Sequence, residues 1–327
     1  MVPRPLSQNI TNANGVEGKD LTIAVNELRG FLVQSRTRIQ KFLNFDGSLK
    51  DPLQTSTSTL NDQGKPPFHT FIPNSGSEEP IDWAEKLREV ARLVDTVLFR
   101  AYMMTSPSLA GPLFRLDNFC DPQVVKEKLY ESGRYVDLID FLHGKKLHKE
   151  ALELLKKFGQ NQADDEVLPA LQGPQRTVVY LQQLQPELID IIIQYAEWPM
   201  QADSKLGMEI FLADTENAET LPRHQVLDFL QQHNTKFAIK YLEHIIKEWN
   251  DQTPEFHQKL IDLYITRLKA PADGQATDES TDETERLTWK TRLEDFLRTS
   301  NQYTWKVVFS RLPRDGNGNI SVWLIIC

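Results

Sequence analysis

The chain repeats one pattern: a stripe of apolar residues at helical spacing ends at a Gly, Pro or polar turn, and a second stripe begins soon after. At the clearest turn the stripes are Ala238, Tyr241, Leu242, Ile245, Ile246 and Trp249, then Phe256, Leu260, Leu263, Tyr264 and Leu268. Two such stripes predict a helical hairpin, which buries both of its faces only by stacking on neighbours. The sequence therefore predicts an all-α fold, an α-solenoid of stacked helical hairpins.

Changes in composition divide the chain. Residues 46–80 are rich in Ser, Thr, Pro, Gly and Asn, and residues 271–285 are acidic with few apolar side chains. Neither segment has enough apolar surface to offset the entropy lost on ordering, so both are expected to be disordered. The predicted divisions are a disordered N-terminus (1–20), a first helix (21–45), a disordered loop (46–80), an α-solenoid (81–270), an acidic linker (271–285), a last hairpin (286–314) and an atypical apolar tail (315–327).

Local signals predict where several helices begin. Asp82 and Glu85 have the spacing of a capping box, in which the side chain of each residue accepts a hydrogen bond from the backbone N–H of the other. Ser106 and Asp121 each precede a Pro, which is favoured at the first helical position because its missing N–H would have no partner there. Both residues are therefore expected to cap helices.

The best-defined hairpin runs from Gly133 to Gly159. Gly144 and Gly159 are expected to end its two helices, because Gly adopts the left-handed conformation that commonly follows a helix. Ala151 lies in the middle of the second stripe, where a small side chain allows close helix packing. The stripes are Tyr135, Leu138, Ile139 and Leu142, then Leu147, Ala151, Leu154, Leu155 and Phe158.

Further helices are predicted at 178–184, 188–195, 208–212 and 226–230, separated by Pro186, Pro199 and Pro222. The second of these is apolar nearly all round and is expected inside the stack. The last hairpin carries Trp289, Leu293, Phe296 and Leu297, then Trp305, Val308, Phe309 and Leu312. At the end of this hairpin another segment is expected to be needed to bury the apolar side chains of Trp305, Val308 and Phe309.

Charge and cysteine content limit the function classes. The formal net charge of −9 argues against nucleic-acid binding, and the early basic residues are interpreted as a solvated polar face: Arg29, Arg36, Arg38 and Lys41. Cys120 and Cys327 have no partner at metal-ligand spacing, which fits a reducing compartment. The N-terminus has no apolar leader, so the chain is expected to be cytoplasmic and the sequons at Asn9 and Asn319 to be chance matches.

The sequence offers no catalytic constellation. His143 and His148 are interpreted as surface turn residues, and Glu243-His244 as an exposed charged pair. The segment 315–319 opens like a calcium loop, but Ile320 and Ile326 occupy the positions that need Gly and Glu. Since no phosphate loop, nucleophile elbow or zinc motif occurs, we predict a non-enzyme with no catalytic, cofactor-binding or metal residues. The sequence does not identify binding residues.

Several segments in a fixed order resemble one family of trafficking proteins. They are SLAGPLFRLDNFCDP (Ser108 to Pro122), GPQRTVVYLQQL, LPRHQVLDFL, AIKYLEHIIKEW and FHQKLIDLYITRL. Over roughly Leu21 to Arg314, with gaps at the two low-complexity loops, the chain is similar to the vacuolar protein sorting thirty-nine family, also called the vacuole-morphogenesis six family, and above all to its fungal members. The resemblance covers the middle of a family member, and DGNGNISVWLIIC after Arg314 departs from the family pattern.

The resemblance implies a fold and a role. Family members resemble an N-terminal β-propeller followed by a long α-solenoid with clathrin-heavy-chain-like or tetratricopeptide-like hairpins, and they are subunits of the HOPS tethering complex, which captures late endosomes and vacuoles or lysosomes before fusion. The implied partners are other HOPS, or class C vacuolar sorting, subunits, with peripheral membrane association through the complex only. A small-GTPase partner is not supported, because the family associates that contact with the propeller.

Three alternatives stay open at this point. The related transforming-growth-factor-β-receptor-associated protein family shares the same helical region. Clathrin-like coat proteins share the pattern of Tyr241 to Glu243 with Leu263-Tyr264. A helical GTPase regulator would need an exposed Arg or Gln finger, which the sequence does not reveal. Fold analogy alone does not separate these functions.

Overall fold

A computed structural model describes residues 18–50, 83–161, 169–269 and 279–312, with side chains in the last range described from 286 onward. In this part of the chain the regular structure is helical, and the one strand-like pairing is a single bridge between Leu43 and Leu49. The all-α, solenoid-like fold class is therefore confirmed. The chain divides into two compact units, Met1–Leu155 and Lys156–Cys327.

In the first unit each helix packs on helices near it in the sequence, although not always on the next one. Helix α1 packs along α2, α2 also contacts α3 and α4, and both α3 and α4 pack on α5. Helix α6 begins in this unit and crosses into the second. The bounds are α1 (Lys19–Ile39), α2 (Trp83–Thr105), α3 (Ala110–Arg115), α4 (Pro122–Glu131), α5 (Tyr135–Gly144) and α6 (His148–Gly159).

The second unit, taken by itself, is also built from packed helices. Helices α7, α8 and α9 contact one another, α9 contacts α12, α12 packs between α11 and α13, and α13 contacts α14 and α15. The bounds are α7 (Gln175–Gln182), α8 (Ile189–Ala202), α9 (Ser204–Leu212), α10 (Glu216–Glu219), α11 (Arg223–His233), α12 (Thr235–Lys247), α13 (Pro254–Lys269), α14 (Glu279–Thr299) and α15 (Trp305–Arg311). Short 3-10 turns lie at Pro107–Leu109, Pro169–Leu171 and Pro186–Leu188.

Side-chain caps explain several abrupt helix starts. The Asp121 carboxylate accepts hydrogen bonds from the N–H groups of Gln123 and Val124, as its position before Pro122 predicted. Asp203 caps α9 and Asn234 caps α12, and each is the only residue between two successive helices. A single polar residue therefore ends one helix and starts the next.

Several predicted boundaries are wrong. Helix α1 ends at Ile39, and residues 43–50 form an ordered turn in which Asp46 accepts hydrogen bonds from the N–H and hydroxyl of Ser48, so the loop does not begin at 46. Ser106 makes no capping hydrogen bond and precedes a 3-10 turn. Helix α14 begins at Glu279, inside the predicted linker. Asp82, the remaining loop, the N-terminus to 17 and the tail lie outside the described residues.

The two helices end at Gly144 and Gly159, as predicted, but neither glycine has the left-handed conformation that was expected of it. The left-handed residues that follow α5 and α6 are Lys146 and Asn161, with φ of 57° and 54°. A Cβ on Gly144 would lie 3.2 Å from the Phe114 carbonyl oxygen, and one on Gly159 would lie 2.5 Å from the Trp198 ring. These glycines are therefore the last residues of their helices and also allow close packing.

The helix around Ile192 is amphipathic rather than buried all round. Ile192 and Ala196 are buried, whereas Asp190 and Glu197 are exposed. The helix also runs through Pro199, which the sequence had placed between helices, and ends at Ala202. Elsewhere the stripes agree with the structure: Ala151 is fully buried, although its neighbour Leu152, not Leu154, completes the buried face.

Candidate interaction surfaces

The structure brings together no catalytic or metal-binding group in the part of the chain that it describes. The His143 and His148 rings meet edge to face with 5.4 Å between centroids, and partial burial and the neighbouring His143 lower the pKa of His148. Within the described ranges no three His, Cys, Asp or Glu side chains are placed to hold a metal ion. The calcium-loop-like segment at 315–319, Cys327, Asn9 and Asn319 lie outside these ranges.

Cys120 is a packing residue. Its side chain is buried, and its thiol donates to the Asp95 carbonyl oxygen at 3.4 Å. Burial raises the pKa of the thiol to about 12, so the thiolate form is absent at neutral pH. The side chain therefore has neither the exposure nor the charge of a nucleophile.

Three buried polar clusters join successive helices, and the first is centred on Asp95 in α2. Only 2% of Asp95 is exposed. Its carboxylate accepts from Arg36 Nε in α1 at 3.0 Å and from the Phe119 N–H at 2.7 Å. Arg36 also donates to the Asp117 carbonyl oxygen at 2.7 Å. The prediction that Arg36 belongs to a solvated basic face is therefore wrong, because this side chain fastens α1 to the segment before α4.

The second cluster, the Asp251 cluster, joins three hairpin ends in the second unit. The Asp251 carboxylate pairs with Arg223 at the start of α11 and caps the Thr253 N–H. The buried ring of His257 bonds the Asp251 carbonyl oxygen at 2.8 Å and the Ser300 hydroxyl at 2.6 Å. The turn after α12, the first turn of α13 and the turn after α14 are thus connected through polar atoms.

The third cluster is centred on Glu243, in the pair that the sequence analysis placed on the surface. The Tyr264 hydroxyl donates to the Glu243 carboxylate at 2.5 Å, and Arg292 lies 3.5 Å from the same oxygen. His244 packs edge to face on Trp249, with 4.8 Å between ring centroids. Both residues of the Glu243-His244 pair are half-buried. The prediction of an exposed charged pair is wrong, because three helices meet around this carboxylate.

Exposed large apolar side chains occur at several places in the described residues, among them helix α15 and the pair of helices α1 and α2. Helix α15 buries Val308 but leaves Trp305 and Phe309 more than half exposed, as the need for a cover had suggested. In the first unit, α1 and α2 expose a larger set: Leu28, Phe31, Val90, Leu93 and Met104. Contiguous apolar patches of this kind on a soluble protein mark interaction sites. Among the helices that the structure describes, none is both long and apolar enough to cross a membrane.

The fold and its surfaces define a helical-repeat protein with buried polar links between hairpins. Residues 94–200 match the family model described as vacuolar sorting protein 39 domain 1. The chain is 31% identical over 302 residues to vacuolar morphogenesis protein 6 of Schizosaccharomyces pombe, which covers 89% of this chain and 31% of that protein. It is 30% identical over 311 residues to the human Vam6/Vps39-like protein, covering 92% of this chain and 32% of that protein.

The alternative relative matches at lower identity. The transforming growth factor-beta receptor-associated protein 1 homolog of Danio rerio is 25% identical over 282 residues, which covers 80% of this chain and 32% of that protein. No solved structure matches. The chain belongs to the Vam6/Vps39 family, and it spans about a third of the length of the curated relatives it matches.

Proposed function

We propose that this chain is a non-enzymatic helical scaffold in vesicle-mediated transport, acting in a HOPS-type complex that docks late endosomes on the vacuole or lysosome before fusion. The observation that carries the proposal is the family match along most of the chain, to proteins named for vacuolar sorting and vacuolar morphogenesis. The helical hairpins and their polar links support it, because a spacer has to keep its shape while partners bind its surface.

The proposal names partners and a location. The partners are the other class C vacuolar sorting subunits, and the protein is cytoplasmic, reaching the vacuole or late endosome surface through the complex. No small-GTPase contact and no nucleic-acid partner is assigned to this chain. The net charge of −9 supports the last point, because phosphate backbones are repelled on average.

Affinity purification tests the proposal. The tagged full chain is expressed in a fungal cell at low level, crosslinked briefly and purified, and the bound proteins are identified by mass spectrometry. Co-purification of several class C vacuolar sorting subunits is the expected result. Enrichment of clathrin adaptors instead would favour a coat function, and enrichment of neither would contradict the proposal.

Two matched variants distinguish specific binding from nonspecific binding to misfolded chain. Gly207→Val would force α8 and α9 apart at a tight contact. We expect this variant to be less stable to heat and to bind the partner proteins no longer. Gly30→Val lies where no heavy atom would come within 4 Å of a new Cβ, and it should keep them. Proteins that still co-purify with the unstable Gly207→Val variant would be binding misfolded chain rather than a specific surface.

A further inference from the structure

Helices α1 and α2 form an antiparallel pair whose register is fixed by three contacts. Arg29 lies 3.5 Å from the Ser106 hydroxyl, Arg36 lies 3.0 Å from Asp95, and Arg88 donates to the Gly47 carbonyl oxygen at 3.2 Å. The Arg36 and Asp95 side of the pair is the side on which segment 117–121 is bound. We call it the inner flank.

The opposite side of the pair, here called the outer flank, carries two apolar stripes. At about 100° per residue, Phe31 of α1 lies about 140° from Arg36 and Leu28 about 80° from it on the same side, whereas Val90, Leu93 and Met104 of α2 lie about 140° or more from Asp95. In an antiparallel pair these two directions are the same side. Phe31 is 64% exposed and Leu93 is 57% exposed, so the outer flank is open to solvent.

The outer flank has the dimensions of a groove for one helix. From Val90 to Met104 the stripe on α2 is about 21 Å long, because an α-helix rises about 1.5 Å per residue. That length matches about four turns of a third helix lying between α1 and α2. Grooves of this kind hold an amphipathic helix through apolar anchors spaced at three and four residues.

Charges at the edge of the outer flank distinguish its two ends. Asp20 and Glu27 lie beyond the apolar stripe toward the start of α1, whereas Arg38 lies beyond it near the end of α1, and Arg100 lies within the α2 stripe between Leu93 and Met104. None of the four forms an ion pair with another residue of the described ranges. The start of the groove is therefore acidic, and its remainder is basic.

We propose that the outer flank binds an amphipathic helix of a partner protein, about four turns long, with Lys or Arg at the end beside Asp20 and Glu27 and Asp or Glu at the end beside Arg38. The apolar stripes supply the affinity, and the edge charges set the direction in which the helix lies. This inference goes beyond the proposed function, because it names a surface and the chemistry of its occupant whichever complex contains the chain.

Synthetic peptides test the occupant directly. One fluorescein-labelled peptide of about 15 residues has an apolar stripe at helical spacing, lysines at one end and glutamates at the other. A second peptide has the same composition with its charges interleaved. Binding to the full chain is measured by fluorescence anisotropy. We expect the polarised peptide to bind about two- to fivefold more tightly than the interleaved one, the range for exposed charge pairs.

Variants assign the binding to the outer flank. Leu93→Glu should weaken binding of the polarised peptide by about tenfold or more, as loss of a central anchor does. Val33→Glu is the matched control. Val33, like Leu93, is an exposed apolar residue, but it lies on α1 and away from the stripe of Leu28 and Phe31. This control should leave the affinity unchanged. Glu27→Lys should shift the preference toward a third peptide with glutamates at both ends.

Three results would overturn the proposal. Equal affinity for the polarised and interleaved peptides would remove the charge argument, and an equal loss in Leu93→Glu and Val33→Glu would move the site elsewhere. A dimer in light scattering that becomes a monomer in Leu93→Glu would assign the outer flank to a second copy of the chain. Because these assays use purified chain and peptides, their failure leaves the co-purification test of the tethering function intact.

Discussion

Replacing Gly207 by Ala should destabilise the protein, although the same change inside a helix usually has the opposite effect. Ala favours a helix over Gly by about 0.4–1 kcal/mol where its methyl group has room. At Gly207 in α9 the new Cβ would lie 2.6 Å from Met200 Cα and 2.8 Å from Met200 N. Carbon atoms pack at about 3.5–4.0 Å, so α8 and α9 would have to separate by about 1 Å.

The net effect follows from these two contributions. Overpacking of this kind costs about 1–3 kcal/mol, and the gain in helix propensity offsets part of it. We therefore expect Gly207→Ala to lower the free energy of unfolding by about 1–2 kcal/mol. Gly30→Ala in α1 is the matched control, because no heavy atom would lie within 4 Å of its Cβ. It should raise the free energy of unfolding by about 0.4–1 kcal/mol.

Urea unfolding followed by circular dichroism measures both variants, and hydrogen exchange locates the change. Amides of α8 and α9 should exchange faster in Gly207→Ala, with those of α1 and α2 unaffected. A Gly207→Ala protein as stable as Gly30→Ala would refute the reasoning, because it would mean that the α8 and α9 backbones do not meet at this glycine.

The remaining predictions concern one polar cluster, one histidine and one small residue. Asp95→Ala should lower stability by about 3–5 kcal/mol in urea unfolding, because it leaves the largely buried Arg36 without its carboxylate partner. Glu89→Ala, which breaks the exposed pair of Glu89 with Lys86, should cost less than about 1 kcal/mol. Burial lowers the pKa of His257, so the unfolded chain binds more protons below pH 6.5 and stability should fall as the pH drops from there toward the folded pKa. This histidine changes the free energy of unfolding by at most about 1.4 kcal/mol per pH unit. If the urea midpoint of a His257→Gln variant depended on pH as strongly as that of the original protein, His257 would not be the source of the pH dependence. Ala151→Arg should cost several kcal/mol in thermal unfolding, since Ala151 is fully buried, and an unchanged melting temperature would place it on the surface.

The hairpins could be predicted because apolar periodicity reports directly on burial. In α12 and α13 most residues of the predicted stripes are buried, among them Ala238, Tyr241, Leu260 and Tyr264. Asp121 was likewise predicted to cap a helix, and it caps α4 through contacts with the second and third residues after it. Signals that act within a few residues are readable in a single sequence.

Contacts distant in sequence could not be predicted. Gly144 and Gly159 were predicted to end helices and do so, and only the positions of Phe114 and Trp198 reveal that they are also close-packing sites. Asp95 lies among the apolar residues of α2, which signals a buried partner for its charge. The sequence does not identify that partner as Arg36, 59 residues earlier.

The interpretation of Glu243 failed for a related reason. Charged residues near a helix end are exposed in most proteins, so the sequence favoured a solvated pair. The structure places Tyr264 and Arg292 around this carboxylate from two later helices. The available signal was Tyr264, which lies on the facing stripe of the same antiparallel hairpin. Its position opposite Glu243 can be recognised only once the register of α12 and α13 is known.

The Asp251 cluster determines how the hairpins from α11 to α14 respond to mechanical load. Its bonds, from Arg223 to Asp251 and from His257 to both Asp251 and Ser300, connect three hairpin ends at one level. A force that slides one hairpin past the next stretches all of these bonds at once, so they share the load. A force that peels a hairpin away stretches them one after another. This region is therefore stiff against sliding and yields more readily to peeling.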